Sequence, residues 1–321
     1  MPRAPARNGT LSISEAKRVL AVYSAGLEAA NVAANPARMT QLEAGAAAAD
    51  VDAQYRLARA YGGKYLDELR RTSTTFRDPS FAIPTAKGYP RYFAATVGGA
   101  LFPSTERGAL LFQQLKGGET WKLVYIAALG PGQRLPALDT ALAAPLTGPA
   151  ASVRNGGPAL ASLVEGNLTE SMNPASSVTC PGPVSGIDKN FALTGMFTMV
   201  ISAERKDCTS LGASNIGLAF YWDTTPWSVI SLPTASGGAI SFLAFTQHAV
   251  ESPRSASQSL SCPSSPNPCD VYLSSRGHYP ALNLDYLDQF VIVTNKFQKH
   301  RQSLDLIGVT NEVVDVTDAG P

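Results

Sequence analysis

Charge is scarce in this 321-residue chain: Asp, Glu, Lys and Arg make up 16% of it, and 26 basic residues nearly balance 25 acidic ones. With no excess of either sign, no long-range field draws nucleic acid or anionic lipid to the surface. Long apolar runs are also missing. Stretches such as "WKLVYIAAL" (121–129) and "TGMFTMVIS" (194–202) have strand length, well short of the roughly 18 residues a membrane helix needs. Met1 is followed by "PRAPARNGT" rather than an apolar segment, so no secretory signal is read here, and export would need a targeting segment upstream.

The motifs of the commoner chemistries are absent too. No Gly-x-Ser-x-Gly elbow frames Ser185 or Ser236. "GPGQRL" lacks the spacing and the following helix of a dinucleotide loop, and no Walker lysine stands near it. Of the three histidines, His248, His278 and His300, none shares a His-x-x-x-His or His-Glu-x-x-His spacing. The acids Asp285 and Asp288, and the later Asp305, Glu312, Asp315 and Asp318, lack the alternation and turn glycine of a calcium loop. The last group reads as a solvated face or a disordered tail. No catalytic residue, metal or cofactor is expected on these grounds. Asn8 and Asn167 stand in Asn-x-Thr sequons, which matter only in a glycosylating host.

Four cysteines are present: Cys180, Cys208, Cys262 and Cys269. Their spacing matches neither paired zinc knuckles nor a Cys-x-x-Cys redox pair. Three disulfide connectivities are possible, and the favoured one closes the shortest loops, Cys180–Cys208 and Cys262–Cys269. Four free thiols are the alternative. Disulfides persist in oxidising compartments, so the favoured reading places the protein outside the cell or at its envelope.

What the chain does contain is organised. "SISE" sets Ser12 three residues before Glu15, a capping box that opens a helix along Ala16, Val19, Leu20, Tyr23, Leu27 and Ala30. Asn35 and Pro36 restart the helical pattern. A third helix, over "AAAADVDAQYRLARAYGG", is closed by Gly62 and Gly63. After about residue 70 the character changes to short segments rich in aromatic and β-branched residues, separated by Gly, Pro and Ser turns. "LKGGETW" is a hairpin turn that uses Gly117 and Gly118.

The fold class expected is therefore α+β: two tandem domains, each of helices packed on an antiparallel sheet. The boundaries are a disordered N-terminal linker (1–10), a first domain (11–135), a Pro/Ala/Gly linker (136–157), a strand-rich second domain (158–312) and a C-terminal tail (313–321). An internal echo, "RGALLFQQL" at 107–115 against "GGAISFLAF" at 237–245, suggests a duplicated unit. The aromatics of "GYPRYF" with neighbours further on offer a speculative pocket of Tyr89, Arg91, Tyr92, Phe112, Trp121 and Tyr125, with Arg91 as polar anchor. The competing reading is a packed sheet with these rings inside it and Arg91 in a structural ion pair.

The segments "TFRDPSFAIPTAKGYPRYFAATVG", "ERGALLFQQLKGGETWKLVYIAAL" and "GQRLPALD", with "LPTASGGAISFLAF" and "YLDQFVIVTNK" later, resemble a family of actinobacterial exported proteins and lipoproteins defined by a domain of unknown function. The resemblance covers most of residues 10–310 and carries no active site. It implies a signal peptide, lipobox or membrane anchor, none of which this chain shows. The order of helices then strands is also similar to the cone-shaped nuclear-transport-factor-2-like fold, a curved sheet around a pocket. The expectation is a non-enzymatic exported or envelope-associated binding protein, whose partner is a small molecule or envelope protein and not nucleic acid. The alternatives are a small-molecule-binding or hydrolytic enzyme using such a pocket, and an extracellular carbohydrate-binding module, which would need exposed aromatics in a row.

Overall fold

A computed structural model of the chain describes residues 11–72, 74–85, 88–99, 101–102, 107–138, 146–147, 191–195, 216–222, 227, 229–253, 255, 257–261, 269–273, 277–294 and 302–318. Helix α1 (Ile13–Ala33) starts where the sequence places it. Ser12 is the cap, its hydroxyl accepting from the Glu15 N–H at 3.1 Å, and the buried stripe runs along Ala16, Leu20, Tyr23, Leu27 and Ala30. Asn35 caps a short 3₁₀ turn (Pro36–Gln41), not a second α-helix. Helix α2 (Gly45–Tyr61) ends at Gly62, whose φ of 59° lies in the region that favours glycine, and α3 (Gly63–Arg71) follows at once.

Four strands then form a meander: β1 (Phe76–Ala82), β2 (Arg91–Gly99), β3 (Arg107–Gln114) and β4 (Lys122–Leu129). The Lys116–Glu119 turn closes β3–β4, with Gly118 at a φ of 81°. The outermost strand, β1, carries Pro79, a register shift and Asp78 at a positive φ, devices that blunt a bare sheet edge.

The expected pair of tandem helix-on-sheet domains, and with it the duplicated cone-shaped unit, is not what the chain forms. The described strands on both sides of residues 136–157 share one sheet. After β5 (Leu146–Thr147), β6 (Phe191–Gly195) and β7 (Ile216–Trp222) come β8 (Ile230–Pro233), β9 (Ala239–Pro253), β10 (Leu260–Ser261), β11 (His278–Tyr279), β12 (Leu282–Thr294) and β13 (Gln302–Asp318). The hydrogen-bonded order is β1-β2-β3-β4-β13-β12-β9-β8-β5, with β6 on β13 and β7 on β9, an eleven-stranded sheet. β10 and β11 pair separately, and helix α4 (Cys269–Tyr272) lies between them in sequence.

The seam is short. Leu129 and Ala128 of β4 pair with Gly308 and Val309 of β13, and the Gly130 N–H donates to the Ile307 carbonyl at 2.9 Å. A Cβ on Gly308 would stand 3.0 Å from Leu129 Cδ2 and 3.1 Å from the Ala128 carbonyl oxygen, so any side chain there would have to push its neighbours back by a few tenths of an ångström. The echoed strands do not correspond either: β3 is the third strand of the β1–β4 meander, whereas β9 is the second of β8-β9-β12-β13. Of the expected linker, Leu138 bridges to Thr234 and β5 pairs with β8. Residues 313–318, read from sequence as tail, belong to β13.

Packing explains why the two halves hold together. One face of β2–β4, with Phe93, Leu110, Phe112 and Leu123, packs under Tyr23, Leu27, Val51 and Tyr55 of α1 and α2. The other face, with Ala94, Leu111 and Tyr125, shares a core with Ile240, Phe242, Leu287 and Val291. The rings of Tyr125 on β4 and Phe242 on β9 lie 6.3 Å apart. In a flat sheet at about 4.8 Å per strand they would be about 14 Å apart, so the sheet is strongly coiled here.

Candidate functional site

Two clefts open beside the β3–β4 hairpin. The first, of about 180 Å³, lies between α1 and the strand start at Trp121; Val19, Val22, Tyr23 and Leu42 form its apolar walls and Arg18 stands at its rim. The second, of about 410 Å³, lies on the other side of Glu119 and Thr120, which line both, and reaches Ala44, Leu115 and Lys122. Val22 (53% exposed) and Leu115 (60%) are large apolar side chains left in water at these clefts. The helical periodicity of α1 sets this geometry. Ala16, Leu20 and Tyr23 face the core, which turns Arg18 and Val22 outward along the cleft. Glu119 is held by Lys116 at 3.0 Å, and the Lys122 ammonium donates to the Thr40 carbonyl at 2.9 Å.

Behind the first cleft sits a buried polar cluster. Tyr23, which borders the cleft, donates its hydroxyl to Glu43 Oε1 at 2.6 Å. Glu43 is 2% exposed and its Oε2 has no hydrogen-bond partner. Loss of hydration pushes its pKa up to about 8; the Tyr23 hydrogen bond opposes the shift and the nearby Asp50 adds to it. Asp50, 1% exposed, accepts from Gln54 at 2.9 Å and from Gln289 of β12 at 2.9 Å; burial raises it to about 6 against those two hydrogen bonds. Gln289 in turn accepts the Ile126 N–H of β4 at 3.1 Å, tying α2, β4 and β12 at one point. Glu312 of β13 is raised to about 7, by burial first and then by the charge of Asp50. Burial and the Glu43 carboxyl likewise drive Tyr23 well above the ordinary tyrosine range. Among the described residues no group of three His, Cys, Asp or Glu side chains is arranged to hold a metal ion.

The six residues expected to line a pocket are divided by the sheet. Trp121 borders the first cleft. Phe112 is fully buried, edge-on to Tyr23 at 5.6 Å and beside Phe93, which it stacks on at 4.8 Å. Arg91 lies over the Tyr89 and Trp121 rings at 5.6 and 5.8 Å. Tyr92 and Tyr125 are buried on the opposite face, Tyr92 receiving a hydrogen bond from Gln113 at 2.8 Å. The side chains that meet at the clefts, Arg18, Val22, Leu42 and Glu119, were not singled out by sequence reasoning. The available signal was the outward stripe of α1 facing the hairpin turn.

His248 is also more than an isolated surface residue. Across the β9–β12 ladder its Nδ1 lies 2.6 Å from Asp285 Oδ1, which accepts from Asn283 as well at 2.6 Å. The pair is part-buried within the strand ladder. Cys269, at the start of α4, is buried (4% exposed) and disulfide-bonded. Cys180, Cys208 and Cys262 lie outside the described residues, and so do the two expected pairings. The exposed aromatics Tyr65, Tyr89 and Trp227 stand on three separate parts of the chain. No helix among the described residues is long and apolar enough to cross a membrane.

Residues 7–318 match a family described as "Domain of unknown function (DUF8094)", and the chain belongs to that family. One family unit thus spans both halves of the coiled sheet. No curated protein and no solved structure matches the chain.

Proposed function

We propose that this member of the DUF8094 family is a non-enzymatic binding protein of the extracellular space or cell envelope, and that it takes its ligand at the clefts between α1 and the β3–β4 hairpin. The observation that carries the reading is the division of labour around Tyr23. It lines an apolar cleft beside solvent-exposed Val22, while its hydroxyl is bonded to the buried Glu43, which does not line that cleft. A concave apolar surface with a few polar groups at its edge is the usual form of a small-molecule site. The disulfide at Cys269 supports an oxidising compartment.

A ligand-observed NMR screen of small metabolites against the wild-type chain and Val22→Asp tests the site. Val22 is exposed, so the substitution leaves the fold intact, which a thermal melt checks. The reading holds if ligands of the wild type lose binding to Val22→Asp, and it fails if every ligand found binds both proteins equally.

The raised pKa of Glu43 favours a second reading, a hydrolytic enzyme with Glu43 as proton donor. It requires Tyr23 to swing aside, and turnover of a cleft ligand that is lost in Glu43→Gln would establish it.

A further inference from the structure

The first cleft has the size and charge to select among ligands. A cavity of about 150 Å³ lined by apolar side chains is enough for benzene, so about 180 Å³ accommodates one six-membered ring with the start of a chain. Its apolar lining is Tyr23, Trp121, Val19, Val22 and Leu42. Two charged side chains stand at its rim. Glu119 is offset by Lys116 at 3.0 Å, whereas Arg18 is exposed and engages no described group through an ion pair or hydrogen bond. Beyond Glu119 and Thr120 the second cleft adds the Lys122 ammonium. Two cations against one neutralised acid leave the pair of clefts with a positive balance, and the guanidinium offers a planar fork suited to a carboxylate.

We propose that the first cleft binds a small carboxylate with a single-ring or branched apolar body: the body lies against Tyr23, Leu42 and Trp121, and the carboxylate pairs with Arg18. This inference rests on the cleft assigned above and names the ligand chemistry it selects.

The test titrates the full chain with 3-phenylpropionate and, separately, with the uncharged 3-phenylpropionamide, following the fluorescence of Trp121. Trp121→Phe identifies the signal against Trp222 and Trp227. The expected result is saturable binding of the carboxylate, weaker by about tenfold for the amide and for Arg18→Gln, with Arg18→Lys retaining part of the difference. Equal binding of acid and amide, unchanged in Arg18→Gln but lost in Val22→Asp, overturns the carboxylate selection and leaves the cleft assignment standing. Absence of saturation by the carboxylate up to roughly 10 mM, beyond the weak end of small-ligand affinity, overturns this inference by itself. Binding that Val22→Asp does not alter overturns the inference and the cleft assignment together.

Discussion

Replacing Glu43 with glutamine should change how stability depends on pH rather than simply lowering it. In the folded chain Glu43 keeps its proton up to about pH 8, because burial, opposed by the Tyr23 hydrogen bond and reinforced by Asp50, disfavours the carboxylate. Unfolded, the same group releases its proton near its ordinary pKa of 4.5. Between those values the native state binds more protons than the unfolded state, so the contribution of Glu43 falls as pH rises and is fully lost above about 8. At about 1.4 kcal/mol per pH unit over about 3.5 units, the loss is on the order of 5 kcal/mol, comparable to the net stability of a typical domain. Glu43→Gln stays neutral throughout and its amide oxygen still accepts from Tyr23. Urea denaturation from pH 5 to 9 is the assay. The variant should match the wild type within about 1 kcal/mol at pH 5, exceed it increasingly between pH 5 and about 8, and keep a constant lead above that. Parallel curves across the range would refute the reasoning, since Glu43 would then ionise alike in both states.

Other expectations follow from the same contacts. Gln289→Leu removes both the donor to Asp50 and the acceptor for the Ile126 N–H; it should cost about 1–3 kcal/mol by denaturation and speed hydrogen exchange at Ile126. Gly308→Val places atoms against Leu129 and the Ala128 carbonyl and should cost about 1–3 kcal/mol, read as a lower urea midpoint. Phe112→Ala empties a site between Tyr23 and Phe93 and should cost about 3–5 kcal/mol, enough to broaden or abolish the thermal transition. Thiol titration of the denatured, unreduced protein should find Cys269 unreactive, and four reactive thiols would remove the support for an oxidising compartment.

The local elements were legible because their signals are local. Ser12 with Glu15, the stripe from Ala16 to Ala30 and the Gly-Gly turn each act within a few residues, and α1, β3 and β4 follow from them. The single coiled sheet was not legible, because alternation along a strand specifies a face and not a partner. Nothing near "AALG" indicates that Leu129 meets Gly308. The aromatics of 89–125 read as one site, but successive residues of a strand face opposite ways, and the register of β2, β3 and β4 sets Tyr92 and Tyr125 on the face away from Phe112. Acidic residues at 312–318 suggested a solvated tail, yet β12 pairs with them along its length up to Leu282–Asp318. The buried acids escaped notice for a related reason. Asp50 sits in an alanine run whose inward face, Ala46, Ala47, Val51 and Ala53, can be inferred from helical spacing, but its partner Gln289 is far away in sequence.

The most direct measurement for the account is an amide chemical-shift map of the ¹⁵N-labelled chain titrated with 3-phenylpropionate. Shifts that saturate together and cluster at residues 18–23, 42 and 119–121 are expected. A saturating cluster around His248 and Asp285 instead would contradict the assignment of the α1–hairpin cleft as the binding site, and scattered shifts that never saturate would contradict its selection of a small carboxylate.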